Sequence, residues 1–178
     1  MKKRTVGWYE YQTLVAKISR DIAISNWRPD YVVGITRGGL LPAKMISHYL
    51  NVPCETLKVA LRDHASAESN LWMAEDAYGY EIHDPMCSSD GKKNILIVDD
   101  LNDTGATINW IMQDWQSGCY PKNQEAWNNV WNGNVRFAVI FDNLASNCTI
   151  KMDYVGEEIN KAEEDVWIDF PYEDWWTK

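Results

Sequence analysis

The stretch Ile95-Leu96-Ile97-Val98-Asp99-Asp100-Leu101-Asn102-Asp103-Thr104-Gly105-Ala106-Thr107 constrains this chain more than any other. Four consecutive apolar residues read as a buried strand, and two carboxylates follow it directly. Residues 99–105 then read as a loop of small and polar residues that opens a helix. In that helix Ile108, Ile111, Met112 and Trp115 recur at i, i+3, i+4 and i+7. Backbone N–H groups at such a helix start form an anion site, and the hydroxyls of Thr104 and Thr107 add donors. Asp99 and Asp100 carry the wrong sign for phosphate, but they suit ribose hydroxyls or a metal-associated sugar. One sugar bearing a phosphate satisfies both halves of the loop.

The rest of the chain repeats the alternation of strand and helix. Tyr11, Leu14, Val15, Ile18 and Ile22 place an amphipathic helix over residues 8–25, and Tyr31-Val32-Val33-Gly34-Ile35 reads as a strand. Gly38-Gly39 makes a tight loop before a helix at residues 40–50, and residues 52–61 contain a further strand. Residues 135–141 form another strand, and residues 153–156 a short one. This pattern predicts an α/β fold, a mostly parallel sheet flanked by helices, with ligands at the carboxyl ends of the strands. Its core spans residues 8–156, and the acidic, aromatic residues 157–178 form a small C-terminal hood. Residues 62–93 lack periodicity and read as a mobile lid with a hairpin around Tyr78-Gly79-Tyr80. Residues 117–134 read as a polar insertion carrying Trp127 and Trp131, an oligomer contact or a cover.

At 178 residues the chain is most simply one domain. Its formal charge of −9 argues against a nucleic-acid partner, whose binding surfaces are normally basic. No apolar stretch reaches the ~18 residues that a membrane span needs. Met1-Lys2-Lys3-Arg4 lacks the apolar run of a signal peptide. The four cysteines, Cys54, Cys87, Cys119 and Cys148, form no CxxC pair, so free thiols in a cytoplasmic protein are expected.

The run from Ile95 to Thr107 is similar to the signature of type I phosphoribosyltransferases that binds phosphoribosyl pyrophosphate (PRPP): an apolar strand, two acids, then D-T-G-x-T. A response regulator also ends a strand in acids, but the upstream loop favours the transferase. Gly34-Ile35-Thr36-Arg37-Gly38-Gly39-Leu40 resembles that family's pyrophosphate loop, which often holds a non-proline cis peptide, here expected between Thr36 and Arg37. The resemblance implies PRPP binding by Thr36, Arg37, Gly38, Gly39, Asp99, Asp100, Asp103, Thr104, Gly105, Ala106 and Thr107. It further implies Mg²⁺ near Asp99, Asp100 and Glu173, and Asp103 beside purine N7 as catalytic base or orienter. A homo-oligomer, dimer or tetramer, is expected.

Two segments resemble bacterial xanthine phosphoribosyltransferase and its 6-oxopurine relatives. They are Thr36-Arg37-Gly38-Gly39-Leu40-Leu41-Pro42-Ala43 and Asp165-Val166-Trp167-Ile168-Asp169-Phe170-Pro171-Tyr172-Glu173. By position Trp167 would stack on the base and Ile168 would read it through its backbone. Three departures stand against this. Asn143 replaces the lysine that bonds the purine 6-oxo group, and is expected to face that group as a neutral donor. Leu61-Arg62 replaces a Ser-Tyr pair, leaving Lys58 and Arg62 as a pyrophosphate clamp. The insertion at 117–134 has no counterpart. Transfer to hypoxanthine, guanine or xanthine is the expected activity; transfer to another base, or a PRPP-sensing regulator, are the alternatives.

Overall fold

The computed structural model describes residues 1–60, 66–67, 70–79, 91–119 and 124–177. The elements run β1 (Lys2–Thr5), α1 (Trp8–Ile24), β2 (Tyr31–Thr36), α2 (Leu40–Leu50), β3 (Cys54–Ala60), β4 (Ser66–Ala67), α3 (Leu71–Tyr78), β5 (Ile95–Asn102), α4 (Ala106–Gly118), β6 (Val135–Asn143), β7 (Tyr154–Ile159) and β8 (Val166–Asp169). A 3-10 turn spans Gln124–Asn129.

Among the described residues six strands form one sheet in the order β4-β3-β2-β5-β6-β7. All its pairings are parallel except that of β3 with β4. The twofold periodicity of each strand divides the interior into two cores. Val32, Leu96, Val98, Ala138 and Ile140 point to one face, where α1 and α2 cover them with Val15, Ile18, Ile22, Ala43 and Ile46. Val33, Ile35, Ile95, Ile97 and Phe137 point to the other, under Met73, Ala74 and Ala77 of α3 and Ile108, Ile111 and Trp115 of α4. Buried on both faces, these strands read as unbroken apolar runs.

Several expectations change. The two acids do not begin a loop: β5 continues through Asn102, because β6 pairs with it as far as Asn102↔Asp142. Within the expected lid, residues 71–78 form α3, whose Met73, Ala74 and Ala77 are buried. Tyr78 ends that helix where a hairpin was expected, Gly79 follows at φ 90°, and Tyr80 lies outside the described residues. The tryptophans of the expected insertion belong to the core: Trp127 is buried and stacks on Trp131 at 5.6 Å, and Trp131 lies 5.9 Å from the buried Trp115. Beyond these, the basic first residues, for which no element was expected, form β1, which pairs in parallel with β8 of the hood as a separate two-stranded sheet.

Candidate active site

The strand order reverses between β2 and β5, since β3 lies beyond β2 on one side and β6 beyond β5 on the other. Loops leaving the carboxyl ends of such strands diverge and leave a crevice. A cleft of about 690 Å³ opens there, lined by Thr36, Arg37, Lys58, residues 99–108, Lys161, Trp167, Ile168, Phe170 and Glu173.

On the β2 side the expected cis peptide joins Thr36 and Arg37, and Arg37 is exposed. A Cβ at Gly38 would collide with the carboxylate of Asp100, and one at Gly39 with the carbonyl of Val98. These two glycines therefore let the loop lie directly against the end of β5. Lys58 stands on β3 in register with Thr36. Arg62 lies outside the described residues.

On the β5 side Asp99 accepts a hydrogen bond from the Asp100 N–H at 2.9 Å. Burial, and next the charge of Asp100, push the Asp99 carboxyl well above the usual carboxylate range. That favours its neutral form, which bonds sugar hydroxyls but is a poor metal ligand. Asp100 accepts from the Tyr172 hydroxyl at 2.6 Å. Gly105 adopts φ 84° before α4, and the Ala106 N–H donates to Thr104 Oγ1 at 3.3 Å. The connection after β6 supports this loop from behind. Asn147 N–H donates to the Thr104 carbonyl at 3.0 Å, and Asn109 Nδ2 to the Asn147 carbonyl at 2.9 Å. The residues at the start of α4 thus line the cleft on a braced loop, where helix N-termini favour anions.

The third wall comes from the hood. Trp167, 44% exposed, and Ile168 lie on β8 and line the cleft. Glu173 Oε2 accepts the Phe170 N–H at 3.1 Å. Asn143 does not face the cleft. Its side chain is buried, and its amide nitrogen donates to the Asp103 carbonyl at 2.7 Å. Its amide oxygen accepts from the N–H groups of Ala145 at 3.1 Å and Lys161 at 3.0 Å. The side chain that reaches the cleft instead is Lys161, whose Nζ lies 2.8 Å from Asp103 Oδ1. Sequence reading missed Lys161; its one signal was a lysine isolated in an acidic tail.

Among the described residues, no three or more His, Cys, Asp and Glu side chains gather into a metal site. The carboxylates of Asp100 and Glu173 at the cleft fit Mg²⁺ only as an ion carried in on substrate phosphates, which needs one or two protein carboxylates.

The family model described as the phosphoribosyl transferase domain matches residues 7–174, and the chain belongs to that family. It is 25% identical to the xanthine-guanine phosphoribosyltransferase of Idiomarina loihiensis over 94% of this chain and 85% of the relative. It is 29% identical to the enzyme of the same name from Cereibacter sphaeroides, over 97% and 92% of the two chains. The fold matches that of the Helicobacter pylori xanthine-guanine-hypoxanthine phosphoribosyltransferase with a TM-score of 0.64 at 16% identity, covering 98% and 96%. Among the described residues no helix is long and apolar enough to cross a membrane, and Cys54, Cys119 and Cys148 are free thiols.

Proposed function

We propose that this protein transfers the 5-phosphoribosyl group of PRPP to a 6-oxopurine base (hypoxanthine, guanine or xanthine), releasing pyrophosphate. The observation that carries this reading is the meeting of two anion-binding loops across one reversal of strand order, with an ammonium and an indole on the facing wall. The names of the relatives support the purine acceptor.

In this reading the 5′-phosphate sits on the N–H groups and hydroxyls of residues 103–107, and the ribose hydroxyls on Asp99 and Asp100. Pyrophosphate lies against Thr36, Arg37 and the backbone of Gly38 and Gly39, with Lys58, and Arg62 from outside the described residues, as further cations. Bound Mg²⁺ would neutralise the charge that grows on the leaving pyrophosphate. Trp167 stacks on the base and Ile168 reads its edge through the backbone. The Lys161 ammonium has three hydrogens to donate; one serves Asp103, and another is available to the 6-oxo group. Asp103 lies beside N7 and accepts the proton the base loses as its nitrogen bonds the ribose carbon. Pyrophosphate leaves from the opposite face, and the remaining work is positioning and electrostatic stabilisation.

The same reading takes the enzyme as cytoplasmic and as a dimer or tetramer; Trp8, Tyr9, Trp175 and Trp176 are exposed apolar surface. The test is pyrophosphate release from PRPP and Mg²⁺ with hypoxanthine, guanine, xanthine, adenine and orotate in turn. Turnover with 6-oxopurines is expected. Release only with orotate or adenine would overturn the base assignment, and release with no base would overturn the activity.

A further inference from the structure

The hood touches the PRPP loop at one hydrogen bond between side chains that the reading above leaves unused. Tyr172 Oη donates to Asp100 Oδ2 at 2.6 Å. The distance is that of a charge-assisted hydrogen bond to a carboxylate. The terminal torsion of an aspartate is soft, so its two oxygens are not oriented by the rotamer alone. At Asp100 two external surfaces orient them. Gly38 leaves room for the carboxylate to lie against the pyrophosphate loop, and the Tyr172 hydroxyl holds one of its oxygens. Tyr172 is itself held on two sides. Its ring stacks on Phe170 at 5.4 Å with an interplanar angle of 6°, and meets the edge of Tyr11 of α1 at 5.7 Å. The neighbouring Tyr11 hydroxyl is buried with no hydrogen-bond partner among the described residues.

We infer that Tyr172 is a positioning residue for PRPP: its hydroxyl, tied to Asp100 Oδ2, fixes the plane of the Asp100 carboxylate so that the other oxygen meets the ribosyl substrate. The inference rests on the ribose role of Asp100 proposed above. It couples the hood, which carries the base-contacting residues, to the half of the cleft that binds PRPP.

The experiment compares Tyr172→Phe with Tyr11→Phe, which delete the same group from adjacent rings. Both keep the aromatic packing, but only the first removes a bond to Asp100. Tyr172→Phe should raise KM for PRPP by about tenfold, within the worth of a hydrogen bond to a charged group. Its KM for the base, and all constants of Tyr11→Phe, should stay within about twofold of the natural chain. The PRPP dissociation constant from calorimetry should move with KM. Should Tyr172→Phe fail to fold, Tyr172→Met fills the space without a hydroxyl and should give the same split. An unchanged KM for PRPP overturns the inference. So does a parallel rise in both KM values, or an equal effect of the two Tyr→Phe variants. A natural chain that transfers normally, with no split in the variants, removes the role of Tyr172 alone; a natural chain without transfer removes the reading of the site beneath it.

Discussion

Asn143 shows how one side chain can hold a strategic position by bonding the backbone behind the cleft. It stands where the resembling enzymes have a lysine, yet its amide is consumed by the backbone of Asp103, Ala145 and Lys161. By holding the carbonyl of one residue and the N–H of the other, it brings the Lys161 ammonium to the Asp103 carboxylate. In the proposed reading the positive charge at the base is therefore delivered from the hood. Lys161→Met should lower kcat/KM for 6-oxopurines by about 10–100-fold, the worth of a charged hydrogen bond, with KM for PRPP unchanged. Asn143→Lys, which restores the family's residue type, should instead lower stability in a denaturant titration, because it buries an ammonium and breaks all three bonds. A gain in oxopurine efficiency in that variant would show that the position faces the base after all.

Among the elements, β1 and β7 hold the ends of the chain together through Arg4. Its guanidinium bonds Glu157 of β7 at 2.8 Å and Glu10 of α1 at 2.7 Å. Hydrogen bonding to Arg4 depresses the Glu157 carboxyl below its ordinary value of 4.5. A carboxyl whose folded pKa is lowered contributes stability that is fully present above the unfolded value and is lost as pH falls through the folded one. The stability gap between the natural chain and Glu157→Gln should thus be widest above pH ~4.5 and close below it. The gap will be modest, since both partners are partly exposed and screened by water. Comparing two chains cancels the opposite trend of Asp142 and Asp153, which burial pushes upward. A gap that does not change with pH would deny the ion pair any part in stability. Helices α1, α2 and α4 and strands β2, β5 and β6 were legible because their apolar residues recur at fixed periods. The tryptophans of residues 117–134 and helix α3 were not. Their apolar residues are too few and too close to Asp, Asn and Ser to show a period, and packing on the second core decides their fate.

For the whole molecule, the cleft exists only when sheet, phosphate loop and hood are assembled, so ligand binding should stabilise the folded chain. PRPP with Mg²⁺ at ~100 times its dissociation constant should add about 2.7 kcal/mol to unfolding. Thermal unfolding with and without the ligand measures it. An unmoved midpoint together with no heat of binding for PRPP, pyrophosphate or a 5′-nucleoside monophosphate would detach the fold from this ligand.

The chain's own order of residues determined the α/β architecture, both anion loops and the place of Trp167 and Ile168. Each of these is written in contiguous residues, as an apolar run, a pair of acids, a set of glycines or a short aromatic segment. Tertiary structure alone decided which cation meets Asp103 at the cleft. It also decided that Asn143 turns away from the cleft, that β1 closes on β8, and that Tyr172 meets Asp100. Lys161 and Asp103 are 58 positions apart in the chain and Tyr172 and Asp100 are 72, so no local pattern relates them. Their meeting follows from how the hood packs across the carboxyl ends of the strands.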